Sequence, residues 1–118
     1  MIQVEFARSF DVRLTFLEDF MMAQDRDSAE RRMDALWDEI REVHRLLRMY
    51  PGIGRPFNVS LDDREEESPS LQILRQSALE QGLPEIREIP LRAHVIIYAH
   101  NDARALVLSI RHHREIGY

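Results

Sequence analysis

The chain has 118 residues, 44% of them hydrophobic and 31% charged, with no cysteine and a formal net charge of −5. This length suits one domain over residues 1–118, because two domains would each fall near the lower size limit for a self-sufficient core. Without cysteine there are no disulfides, thiolate metal sites or thiol nucleophiles, and no run approaches the roughly 20 apolar residues of a membrane helix.

Residues 2 to 7 alternate Ile2, Val4 and Phe6 with Gln3, Glu5 and Ala7, the period of a half-buried strand. Ser9 is placed to cap a helix in which Phe10, Leu14, Leu17 and Met21 recur at helical spacing, with Phe16 and Phe20 widening the stripe. The polar stretch from Gln24 to Asp27 breaks it. Asp27 with Glu30 three positions on has the pattern of a capping box for a second helix. That helix carries Ala29, Met33, Leu36, Trp37, Ile40, Val43 and Leu47 on one stripe, so the two helices should form an antiparallel hairpin. Pro51 and Gly52 stop the second helix, and Gly54-Arg55-Pro56 continues an irregular segment. A solvated acidic loop is expected next, at Asp62 to Glu67. Ser68 and Pro69 then open a short third helix with Leu71, Leu74 and Ala78 on its apolar side and Gly82 at its end.

From Pro84 the period changes to two. A short strand spans Ile86 to Ile89, and two strongly apolar strands span Ala93 to Ala99 and Ala105 to Arg111. Between the last two, His100-Asn101-Asp102-Ala103 has the composition of a tight turn. The order β-α-α-(α)-β-β-β predicts an α+β domain, with the helical hairpin packed on a mainly antiparallel four-stranded sheet.

All 16 basic residues are arginine, so chemistry that needs a neutral amine base or a Schiff-base lysine is excluded. The charge is unevenly spread. Residues 58 to 68 hold five acids against Arg64, whereas residues 87 to 118 hold five arginines against three acids, with four of the five histidines. The acidic total weakens a nucleic-acid reading, since such affinity comes mostly from neutralised phosphates, but the C-terminal third is locally basic. His112 and His113, as neighbours on a strand, point to opposite faces, and His94 and His100 lie far apart along theirs, so no metal site is expected. No cofactor is expected either. Residues 1 to 6 lack the basic-then-apolar pattern of a secretory signal, which points to the cytoplasm and away from membranes.

Three segments carry a resemblance: Pro51-Gly52-Ile53-Gly54-Arg55-Pro56; Arg87-Glu88-Ile89-Pro90-Leu91 followed by Ile96-Ile97-Tyr98; and Val107-Leu108-Ser109-Ile110-Arg111-His112-His113-Arg114. In this order and spacing the chain resembles the RelE/ParE superfamily of bacterial toxins from type II toxin–antitoxin, or plasmid stabilisation, modules. The likeness covers residues 1–57 and 84–118 and leaves 58–83 as an insertion. It implies a cognate antitoxin whose C-terminal segment wraps the toxin, with assembly as a dimer or a toxin–antitoxin heterotetramer. It also implies one of two targets. ParE-like members poison DNA gyrase; RelE-like members are endoribonucleases that cut mRNA on the ribosome.

In the nuclease case, Arg87 would clamp a phosphate, Arg111 would stabilise charge on phosphorus and His113 would act as acid or base, a task suited to its pKa range. In the other case, Arg55, His112 and Arg114 would face the partner or target. The absent lysines, the net acidity and Arg114, standing where some family nucleases have a tyrosine, favour the ParE-like side. Tyr118 could replace that tyrosine only by folding back. A third reading keeps the fold as a non-toxic interaction module.

Overall fold

The computed structural model describes residues 1–57 and 69–113, with residues 69–71 described by backbone alone. The elements are β1 (Gln3–Phe6), α1 (Arg8–Gln24), α2 (Arg26–Met49), β2 (Arg55–Pro56), α3 (Pro69–Glu80), β3 (Glu85–Pro90), β4 (His94–His100) and β5 (Arg104–His112). The strands form one mixed sheet in the order β1-β5-β4-β3-β2. Only the β1–β5 pairing is parallel. The expected α+β arrangement is therefore present, with five strands in place of four. The additional one, β2, is two residues long and includes a proline, so no alternation could mark it. The acidic stretch at 62–67 and the Ser68 cap lie outside the described residues.

The helical hairpin follows from its apolar stripes. Phe10, Leu14, Leu17 and Met21 of α1 and Ala29, Met33, Leu36, Ile40, Val43 and Leu47 of α2 are buried in one cluster with Ile96, Tyr98, Ala105, Val107 and Ile110 of the sheet. Three residues named for these stripes stay outside. Phe16, Phe20 and Trp37 are 52%, 51% and 40% exposed, because Phe20 and Trp37 sit at the border of their helix's buried arc and Phe16 lies beyond it. The helix starts also differ from expectation. Ala7 precedes α1 without a side-chain cap, and Ser9 instead donates its hydroxyl to the Leu108 carbonyl at 2.6 Å. One residue, Asp25, joins the helices, and its carboxylate accepts from the Asp27 N–H at 3.1 Å, so the cap stands two positions before Asp27.

The opposite face of the sheet is covered by α3. Ala78 and Leu74 of the helix, with Leu83 just beyond it, pack on Ile86, Ala99, Leu106 and Leu108. The helix ends as its glycine predicts. Gly82 has φ 78°, its N–H donates to the Leu79 carbonyl, and the Leu83 N–H donates to the Ala78 carbonyl.

The two faces exchange residues within β5. Tyr98 of β4 pairs with Val107, but Ile97 pairs with Ser109, leaving Leu108 as the extra residue of a β-bulge. Before the bulge, Ala105 and Val107 face the hairpin; after it, Ile110 does. Strict alternation would have turned Ser109 and Arg111 into that core and Ile110 away from it. The bulge places Ile110 in the core and sends Arg111 to the α3 side.

Among the described residues no helix is long and apolar enough to cross a membrane. Truncating the fully buried Leu47 to alanine should cost about 2–5 kcal/mol in urea denaturation, whereas Trp37→Ala should cost about 1 kcal/mol or less.

Candidate functional site

The loop from α2 to β2 is strapped to the meander from both sides of the sheet. On the hairpin side, the buried Tyr98 hydroxyl donates to the Pro51 carbonyl at 2.6 Å and accepts from the Gly54 N–H at 2.9 Å. Arg87, directly opposite Tyr98 on β3, donates from Nη1 to the Gly54 carbonyl at 2.8 Å and from Nε to His100 Nε2 at 3.0 Å. His100 thus receives on Nε2, which leaves the ring proton on Nδ1, 3.4 Å from the Asn101 carbonyl. On the α3 side, Arg55 donates from Nε to the buried Glu88 carboxylate at 2.7 Å. Gly54 has no room for a side chain in this clasp, since a Cβ there would lie 2.7 Å from the Glu88 carbonyl and 2.8 Å from the Tyr98 ring.

The candidate nuclease residues do not gather. Arg87 stands opposite Tyr98, and Arg111 stands opposite Val95 on the far side of β4. They are separated by three residues along the strands and two strand spacings across them, about 10 Å in each direction. Their pleat positions also differ. Arg87 shares the hairpin face with Tyr98 and His100, whereas Arg111 shares the α3 face with Ser109, to whose hydroxyl its Nε donates at 3.0 Å. Two guanidinium groups on opposite faces of one sheet do not grip one phosphate.

His113 lies just past β5, where its N–H donates to the Ala93 carbonyl and its Nε2 is 2.8 Å from the His94 carbonyl. His112 stays on the hairpin face, pairs in register with buried His94, and meets that ring edge-on with centroids 5.2 Å apart. Among the described residues no group of three or more histidines or carboxylates is disposed to hold a metal ion. Arg114 and Tyr118 lie outside the described residues.

Reading the sequence missed the Tyr98 clasp. The available signal was a lone phenol in the apolar run Val95-Ile96-Ile97-Tyr98-Ala99, together with glycines at 52 and 54. A buried hydroxyl needs a partner, and close approach to a backbone needs glycine.

The model of the family described as ParE toxin of type II toxin-antitoxin system, parDE, matches residues 4–117 of the chain. No curated protein matches it.

Burial raises the Tyr98 pKa above its ordinary value, against smaller downward pulls from the Gly54 hydrogen bond and the Arg87 charge. A phenol that ionises more readily unfolded than folded contributes stability that is full below about pH 10 and falls as pH rises toward the folded pKa. Alkaline denaturation should show this decline. Tyr98→Phe should remove it while costing about 1–3 kcal/mol at neutral pH, because the Pro51 carbonyl and Gly54 N–H lose their partner.

Proposed function

The chain belongs to the ParE toxin family of type II toxin–antitoxin systems, and from that premise we propose that it acts in the cytoplasm by inhibiting DNA gyrase until a cognate antitoxin binds it. The observation that carries the target choice is the division of the two arginines between opposite faces of the sheet. In-line cleavage of RNA needs a base, an acid and cationic charge converging on one phosphate within hydrogen-bond reach. Arg87 instead turns its Nε and Nη1 donors to His100 and the Gly54 carbonyl, and no lysine exists to replace it. Inhibition of a protein target requires only a surface.

Of the residues assigned to a partner or target, Arg55 on the α3 side carries this reading, whereas His112 lies on the hairpin face at the other end of the meander and Arg114 follows β5 in sequence. Arg55 keeps a 53% exposed side chain even while paired with Glu88. An ion pair so placed holds a charged, half-exposed guanidinium at a fixed position on the α3 side of the sheet.

Induced alone in bacteria, the protein should arrest growth and switch on the DNA-damage response, and the purified chain should inhibit supercoiling by gyrase. Co-expression of the small protein encoded by the neighbouring gene should relieve the arrest. Cuts in mRNA at codon boundaries, with gyrase unaffected, would overturn the reading in favour of the endoribonuclease. Binding without growth arrest would favour a non-toxic interaction module.

A further inference from the structure

Met49, Tyr50 and Ile53 are 48%, 57% and 46% exposed, three large apolar side chains within five consecutive residues. They sit where α2 ends. The Tyr50 N–H closes the last helical turn onto the Leu46 carbonyl, and the Ile53 N–H donates to the Tyr50 carbonyl, so residues 50 and 53 flank one tight turn. At the tip, a Cβ at Gly52 would meet nothing within 4 Å among the described residues. From Arg45 to Phe57 the sequence carries three arginines and no acid; Arg45 and Arg55 pair with Glu42 and Glu88 outside the segment, and Arg48 is exposed beside the turn. The turn is also held firmly from beneath, because Tyr98, Arg87 and the Arg55–Glu88 pair all fix its backbone or its neighbours.

We infer that this turn is the anchor by which the protein enters its target, inserting Tyr50 and Ile53 into an apolar pocket rimmed by carboxylates on a folded protein. The inference rests on the gyrase reading and names the part of the toxin that makes the contact. Three features select this occupant. A projecting, pre-ordered turn complements a pocket that already exists, and its ordering cost has been met in the free protein. Three half-exposed side chains supply roughly 300 Å², far below the ~1,000 Å² of a self-sufficient interface, so they act as an anchor within a larger contact and not as a dimer seam. The exposed Arg48 at its border favours an acidic rim.

The test compares three variants with the wild type in gyrase supercoiling: the double variant Tyr50→Ala/Ile53→Ala, the charge reversal Arg48→Glu, and Ile73→Ala on α3, where a still more exposed apolar residue lies elsewhere. Circular dichroism melting checks that each folds. The double variant should need at least about tenfold more protein for half-inhibition, and Arg48→Glu several-fold more, while Ile73→Ala should match the wild type. Calorimetric titration with the neighbouring gene's product should give unchanged affinity for all three. Inhibition unchanged in Arg48→Glu and in the double variant overturns the inference alone. Loss of antitoxin affinity in those variants assigns the turn to the antitoxin and also overturns it. A wild-type protein inert toward gyrase overturns the target reading, and this contact with it.

Discussion

The burial of β4 on both faces is the constraint from which the architecture follows. Residues 94 to 99 are all buried, and they alternate between the helical hairpin on one side and the α3 side on the other. On a strand with two dry faces an unpaired polar group is costly. Tyr98 therefore brings its hydroxyl to the one spot where backbone groups can meet it, the loop after α2. Once that loop is tied down, β2 falls into register beside β3, and the sheet gains its last strand.

This division of the sheet also separates the duties of the arginines. Arg87 is half-buried and its guanidinium satisfies main-chain and imidazole acceptors, so its charge serves the fold. Arg104 does similar work at the other end, bridging Glu5 of β1 and Gln81 beyond α3. Arg41 and Arg45 pair with acids one turn earlier on α2, where exposed ion pairs add little. The planar fork suits these bridging tasks, because it meets two acceptors at once where an ammonium group meets each as a point charge. The composition then has a structural reading: a lysine-free chain has made its arginines into connectors, and net basicity of a segment is a poor guide to which of them reach outward.

Elements with a strong period were legible in the sequence. The α2 stripe and the apolar runs of β4 and β5 appear where hydrophobic spacing puts them, because burial decides both. The α3 glycine stop was legible for the same kind of reason, since a left-handed residue admits few side chains. Features that depend on contacts distant in sequence were not. Ser9 looks like a helix cap from its neighbours alone, yet its hydroxyl goes to a carbonyl 99 residues away. Trp37 lies among buried residues on the helical wheel but at the border of the arc. One residue decides a further feature: without the Leu108 bulge, strict alternation would turn Arg111 toward the hairpin. The candidate site could be named residue by residue, but its convergence could not be judged without the pleat.

The Ser9 and Arg13 contacts have a further consequence for how the molecule behaves in company. β1 accompanies β5 only as far as Val107, so the second half of β5 has a free flank. There Ser9 takes the Leu108 carbonyl and Arg13 takes the Ile110 carbonyl at 3.2 Å. At the far border of the sheet, Pro56 has no N–H to give. Main-chain templating, the route by which exposed strands recruit one another into aggregates, is obstructed at both places. Edges built in this way will not zip to copies of themselves. Here recognition is left to side chains, which can distinguish one neighbour from another.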